Sequence, residues 1–449
     1  MNYKEAVGRI LALRGGEVAG MRQGLDCIEA LLGAIGNPER AYRIVQIGGT
    51  NGKGSVSAML AAIFEAAGRR VGLYTSPHLC DFSERIRVNG RAIPEADVVD
   101  GMEAIGTLVA RLDATMFDAT TALALDHFAQ EHVDVAVLEV GLGGRLDSTT
   151  VGRPEAEVLA RIDYDHQAYL GTTLPEIAAE KAAIIRSGVA FAARQEPAAL
   201  DVLERRAREM KVPLLVEGRE LHASARGFTL DGQRVDLAGP DWRLDDVLCR
   251  LLGVHQPGNA LLATAAARHL GAEESAIRRG LASVRWPGRF QIVARDPLII
   301  LDGAHNPGGA HALARSLTEY FPGRAITFVI GVSADKDQRG ILEHLAPLAS
   351  RLILTAYSSP RAASPSTLRS AVPPGHRQVE VAASPREAMS LALRSPRTPL
   401  ICVAGSLFLI GELLGQASEK QQDFLATFGL ADSMDRHAPA AGPTGSRQA

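Results

Sequence analysis

Four stretches of this 449-residue chain hold residue types that do chemistry on charged substrates. The first, GGTNGKGSVS at residues 48–57, sets Lys53 between two glycines and follows it with Ser55. Glycines let a backbone come close to an anion, a lysine offsets its charge, and a hydroxyl can reach a phosphate-bound Mg2+. The stretch departs from the usual spelling G-x-x-x-x-G-K-[ST], with Ile47 where a glycine is wanted and Gly54 where Ser or Thr is wanted. An ordinary glycine-rich turn is the competing reading. Context favours the cradle. RIVQIGG (43–49) reads as a strand before it, and SVSAMLAAIFEAAG (55–68) reads as a helix after it, with Met59, Leu60, Ile63 and Phe64 on one face. Thr50, Asn51, Gly52, Lys53, Gly54 and Ser55 then sit at a helix N-terminus, where free N–H groups favour anions.

The other three stretches supply metal-ligand chemistry. YTSPHLCDFSERI (74–86) places Ser76 at the end of an apolar run, and VLEVGLGGRLDSTT (137–150) ends another with Glu139. A carboxylate there faces the crevice above a parallel sheet and can hold Mg2+; a strand-end salt bridge is the alternative. In ARIDYDHQAYLGTTLPEIAAEKAAIIRSG (160–188), His166 falls in a loop after a strand. Thr173 and Glu176 form a capping box with Pro175 in the first turn, and Gly188 is the expected terminator of that helix. Ile177, Lys181, Ile184 and Ile185 share a face by their spacing, so Lys181 lies on an apolar stripe. It either snorkels to the surface or is buried, and a buried lysine needs a partner or a modification.

These residues need a scaffold. Short apolar runs at 43–49, 70–76, 133–141, 156–163 and 189–194 alternate with helical segments, which implies an α/β fold with a mostly parallel sheet. Residues 219–240 carry a D-G turn between alternating runs and predict a β-hairpin. The alternation restarts at 298–305, 325–333, 351–359, 379–384 and 399–406, a smaller Rossmann-like unit beyond a boundary near 285–297. The expected division is a mononucleotide-binding domain over 1–290, a second domain over 291–428 and a disordered tail over 429–449, rich in Ala, Pro and Gly. Basic residues number 48 and acidic residues 51, which gives no electrostatic case for nucleic acid or an anionic membrane. Cys27, Cys80, Cys249 and Cys402 are scattered and form no C-x-x-C pair, and no signal peptide or spanning segment is read. A cytoplasmic protein is expected.

GTNGKGSVS, TSPHLCDFSERI, EVGLGGRLDSTT, the Asp-His of DYDHQAYLGTTL, EKAAIIRSG, HQPGNALLA, WPGRF and DGAHNP occur in this order. Together they resemble folylpolyglutamate synthase/dihydrofolate synthase, of the Mur-ligase superfamily, over about residues 20–415. The family spells its phosphate loop with glycine before serine. The resemblance implies that Thr50 to Ser55 bind the phosphates of ATP, and that Ser76, Glu139 and His166 are magnesium ligands. Lys181 matches a lysine that is carbamylated in the family and joins that set; Lys53, Glu139, His166 and Lys181 would be catalytic. Asn259, Arg289 and Asp302 match ATP contacts. Gln23, Gly24, Leu25 and Asp26, then Thr115, Met116, Phe117 and Asp118, then Leu146, Asp147 and Ser148 match segments that hold the pterin. His305 and Asn306 would line the interdomain cleft.

The implied activity is ATP- and Mg2+-dependent addition of L-glutamate to dihydropteroate or to the glutamyl chain of reduced folates, in a monomer without nucleic acid or membrane partners. Three departures bear on substrate preference: Tyr164 before Asp-His, EKAAIIR in place of EKAGIIK, and Asp118 where Glu is frequent. A monofunctional folylpolyglutamate synthase, another Mur-type amino-acid ligase and a nucleotide-binding switch without ligase activity are the alternatives.

Overall fold

The computed structural model describes residues 1–15, 24–376, 378–394, 400–419 and 424–427. Gln23 and the expected tail over 429–449 lie outside the described residues. The first sheet has eight strands: β1 (Arg43–Gly48), β2 (Val71–Tyr74), β3 (Ile86–Val88), β4 (Arg91–Ala92), β5 (Val135–Glu139), β6 (Ala156–Leu159), β7 (Val189–Ala192) and β8 (Leu214–Val216). Their order is β4-β3-β2-β5-β1-β6-β7-β8. All pairings from β2 to β8 are parallel, and β3 and β4 add an antiparallel edge. β5 and β6 are wholly buried, as expected of strands covered on both faces, which read as unbroken apolar runs. β1 lies between β5 and β6, reached by connections that leave on opposite sides, so the crevice opens beyond its carboxyl end.

The helix after β1, Lys53–Ala66, carries the expected Met59, Leu60, Ile63 and Phe64, all fully buried. Its other faces are buried too, because helices Gln256–His269 and Glu274–Ser283 cross it. Gly280 allows one crossing: a Cβ there would lie 2.6 Å from the Ile63 nitrogen. The stretch expected to be a hairpin is instead a three-stranded antiparallel meander, β9 (His222–Thr229), β10 (Gly232–Gly239) and β11 (Trp242–Cys249). β11 escapes pattern reading because Asp246 adopts φ +53° and the register shifts between Val235 and Leu237, so its inward residues Leu244, Val247 and Cys249 do not alternate.

The second sheet runs β12-β13-β17-β14-β15-β16, with β12 (Gln291–Arg295) antiparallel to β13 (Leu298–Asp302). β14 (Ile326–Ile330), β15 (Ala349–Leu354), β16 (Val379–Val381) and β17 (Leu400–Ala404) are parallel, and apolar clusters cover both faces. β12 occupies residues expected to be an irregular boundary; a bulge between Ile292 and Ala294 interrupts its pattern.

The capping box at Thr173 and Glu176 is present, and Pro175 stands in the first turn. Gly188 does not end that helix. The helix runs Leu174–Ala182, and a turn carries Ile184 and Ile185 into the same buried cluster as Ile177. Gly188 instead adopts φ +66° at the entry to β7, where a Cβ would strike the backbone of Glu155. No described helix is long and apolar enough to cross a membrane.

Candidate active site

A cleft of about 520 Å³ separates the carboxyl ends of the first sheet from the second domain. Its floor is the loop from Gly48 to Ser55. Gly49 (φ +124°) and Gly52 (φ +103°) adopt backbone conformations that side-chain-bearing residues rarely adopt. Four segments press against the loop. A Cβ on Gly48 would meet Ile184 at 2.7 Å, one on Gly49 the Ala160 carbonyl at 2.8 Å, and one on Gly52 the Asn259 side chain at 2.7 Å. A Cβ on Gly54 would meet the Trp286 indole nitrogen at 2.8 Å. The departure from the usual spelling at position 54 is therefore a packing requirement set by the WPGRF segment. Thr50 and Asn51 donate their backbone N–H groups to the Arg161 carbonyl at 2.8 and 3.1 Å. Gln256 donates to the Ser55 hydroxyl at 3.3 Å and accepts from Asn259 at 3.0 Å, so HQPGN braces the loop from behind.

Two lysines converge on the loop. Lys53 Nζ donates to the carbonyls of Gly49 and Thr50 at 3.3 Å, and Lys181 Nζ donates to the same Gly49 carbonyl at 3.1 Å. Lys181 is buried rather than snorkelling. Burial first, and the neighbouring Lys53 next, push its amine down to about 7. Glu139, at the end of β5, is buried and accepts the Ser76 N–H at 3.3 Å. Burial raises its carboxyl, and Lys53 works against that rise. Ser76, Glu139, His166 and Lys181 all line the cleft. Among the described residues no three His, Cys, Asp or Glu side chains form a metal-holding group.

His166 takes a left-handed backbone (φ +51°) and starts the short helix Gln167–Leu170. Its ring lies 3.3 Å from Lys336 Nζ, and burial lowers its pKa to about 4. Asp165 is the hub of this corner. Lys336 Nζ lies 2.6 Å from it, Asn306 donates to it at 3.0 Å, and the His166 and His305 rings each come to 3.8 Å. Burial works to raise the Asp165 carboxyl, but His166, Lys336 and His305 outweigh it and hold it well below the usual carboxylate range. His305 Nδ1 lies 2.8 Å from the Gly303 carbonyl, and burial lowers the ring to about 4.

The remaining expected residues divide. Asn259, Arg289 and Asp302 line the cleft, as do Gly24, Thr115, Phe117, Asp118, Leu146, Asp147, Ser148 and His305. Ser148 donates to Asp118 at 2.6 Å, joining two of the expected pterin segments. Met116 does not reach the cleft; it is buried in the core against the N-terminal helices. Leu25 and Asp26 do not line it either and instead start the helix Asp26–Ala34. Asp302 is buried, with its two oxygens accepting from Phe290 and Ala304 at 2.9 Å, so it also fixes the entry to the second domain. Lys336 went unread in the sequence. Its one mark is a lysine between two aspartates in SADKDQ, directly after the apolar run of β14.

A phosphate loop at the switch point of one parallel sheet, facing a second α/β domain across a charged cleft, defines a two-domain nucleotide-dependent ligase architecture. The Mur ligase middle domain matches residues 47–267, and the glutamate ligase domain of Mur ligases matches residues 288–407. The chain is 37% identical over 365 residues to a dihydrofolate synthase/folylpolyglutamate synthase of Mycobacterium tuberculosis, covering 75% of each chain. It is also 37% identical over 423 residues to a probable bifunctional folylpolyglutamate synthase/dihydropteroate synthase of Halobacterium salinarum, covering 92% of this chain but only about half (51%) of that protein's length. The M. tuberculosis folylpolyglutamate synthase structure with ADP and AMPPCP superposes with a TM-score of 0.86 at 33% identity, covering 94% of this chain and all (100%) of that one. Escherichia coli FolC in complex with DHPP and ADP gives 0.86 at 29% identity, covering 94% and 99%. The chain belongs to the folylpolyglutamate synthase/dihydrofolate synthase family of Mur ligases.

The packing at position 54 makes a direct prediction. Gly54→Ser restores the common phosphate-loop spelling, yet it should destabilise the protein by ~1–3 kcal/mol through overpacking against Trp286. Thermal unfolding of the purified variant measures this, and an unchanged midpoint would contradict it.

Proposed function

We propose that the protein is an ATP-dependent ligase that adds L-glutamate to dihydropteroate and to the glutamyl chain of reduced folates, releasing ADP and phosphate. The observation that carries the reading is one cleft that brings the phosphate loop, the Glu139 corner and the Lys336–Asp165–His305 cluster together. Residues 1–290 would supply the nucleotide floor, and residues 291–428 would close over it. The described cleft residues come from a single chain, which supports a monomer; the same reading places the enzyme in the cytoplasm. The pterin would lie between Thr115–Asp118 and Leu146–Ser148, at the end of the cleft that Phe117 lines.

In the reaction, an oxygen of the acceptor carboxylate attacks the γ-phosphorus, the bond to ADP breaks, and an acyl phosphate results. The glutamate nitrogen then attacks the acyl carbon, phosphate leaves and the amide forms. Lys53 and the N–H groups left free at the start of the helix bind and orient the phosphates. The glutamate ammonium gives up its proton to solvent before it attacks, and His305, anchored through Nδ1 on the Gly303 carbonyl, lines the cleft. Contact between the domains excludes water from the acyl phosphate.

Mg2+ supplies charge neutralisation on the phosphates when bound, and Ser76, Glu139, His166 and Lys181 would hold it. The donor chemistry fits in three of the four. Glu139 is a buried carboxylate, His166 a neutral imidazole and Ser76 a hydroxyl beside them. Lys181 fits only as a carbamate. As an ammonium it shares the Gly49 carbonyl with a second ammonium, an arrangement of like charges that a carbamate would convert into attraction.

Two measurements test this. ADP release that depends on glutamate should occur with dihydropteroate and with a tetrahydrofolate, and Lys53→Ala should lower both by ~10²–10³-fold. Turnover with a tetrahydrofolate alone would identify a monofunctional polyglutamylating enzyme. Only neutral Lys181 amine can add CO₂, so carbamate occupancy should fall as pH drops below about 7. The carbamate signal in NMR spectra of protein equilibrated with isotope-labelled bicarbonate reads this directly, and Lys181→Arg should abolish it. A carbamate signal that persists in Lys181→Arg would place the modification elsewhere.

A further inference from the structure

The second domain reaches into the phosphate loop through one side chain. Asn51 and Asn306 form a reciprocal amide pair: Asn51 Nδ2 donates to Asn306 Oδ1 at 3.2 Å, and Asn306 Nδ2 donates back to Asn51 Oδ1 at 3.0 Å. Asn306 Nδ2 also donates to Asp165 at 3.0 Å, and Asn306 Oδ1 caps the helix Pro307–Tyr320 through the Gly309 N–H at 2.8 Å. Asn306 is 3% exposed, so these bonds are not exchanged freely with water. The approach is built for contact. A Cβ on Gly308, in the first turn of the same helix, would strike the Asp163 carboxylate and come to 3.2 Å from Asn51 Nδ2. Thr50 is tied within the first domain, to Asp163 and Arg161. The Asn51 side chain is bound instead to the second domain, one residue before the left-handed Gly52 that opens the phosphate helix.

We infer that Asn306 is a positioning residue that couples the shape of the phosphate loop to docking of the second domain, through the Asn51–Asn306 pair. Separation of the domains removes both bonds from Asn51 and the Asn306 bond from Asp165, loosening the phosphate loop and the metal-side loop together. Productive loop geometry is then available only when the domains meet, which limits futile hydrolysis in the open state. The inference rests on the ligase reading for its kinetic consequence but not for its structural one.

The test uses the full chain and the variants Asn306→Ser, Asn51→Ala and their combination. Serine keeps a helix-capping oxygen but is too short to bridge to Asn51, so the fold is retained. Spin labels on exposed positions of the two domains report the interdomain distance with and without Mg-AMPPCP. Wild type should shift to the short distance on nucleotide binding, and Asn306→Ser should not. In glutamate-dependent ADP release, kcat should fall about tenfold or more in each single variant, with a smaller change in the KM for ATP. The double variant should be no worse than the worse single one, because the two side chains act as a unit. An Asn306→Ser protein that closes and turns over like wild type would overturn the inference, as would losses that multiply in the double variant. If wild type releases no ADP with glutamate, the ligase reading fails, while the distance measurement still decides the coupling.

Discussion

Everything in the cleft depends on how closely other segments approach the backbone between Gly48 and Gly54. Ile184 and Ala160 from the 160–188 stretch, Asn259 and Trp286 all press on it, and each occupies the space a Cβ would need. Bare backbone serves two ends at once. It leaves N–H groups at the helix start open to an anion, and it lets the surrounding elements clamp a loop that would otherwise be soft. The loop gains its shape from what lies on it, more than from its own conformational preference.

The charges of the site follow from that crowding. Glu139, Asp165, His166, Lys181 and His305 lie close together in the cleft, so the burial and the charges around each move its protonation. The first domain contributes carboxylates at strand ends, and the second contributes Lys336 and His305 against Asp165. The Lys336–Asp165 ion pair at 2.6 Å joins the two domains across the cleft.

Much of this was legible in the sequence because it rests on local rules. The strand–loop–helix order around Lys53, the capping box at Thr173 and the strand-end carboxylate Glu139 are short-range patterns, and the structure has all three. The spacing of Lys181 with Ile177 placed it on an apolar face and left snorkelling and burial both open; the structure buries it, although the helix ends at Ala182 and the later isoleucines come from a turn. What escaped has long-range causes. Lys336 acquires its role only by packing onto Asp165, 171 positions away, and its flanking aspartates alone do not point to that partner. β11 and β12 were lost because bulges broke the period of two on which strand reading relies. Met116 sits in a segment whose neighbours line the cleft, yet the helix it starts turns it into the core; proximity in sequence is no guide to direction on a helix.

The phosphate helix Lys53–Ala66 is enclosed by helices Gln256–His269 and Glu274–Ser283, with the meander β9–β11 contributing Val235, Leu237, Leu244 and Val247 to the same core. On the ribosome these partners emerge about 190 residues later, counting from Ala66 to Gln256. At ~5–20 residues per second that is a wait of roughly 10–40 s with Val56, Met59, Leu60 and Ile63 uncovered on one side. A chain that ends before residue 256 therefore leaves that apolar face of the first domain without its later cover. The meander, which looks like a peripheral insertion, belongs to the last instalment of the core and cannot be trimmed without opening it.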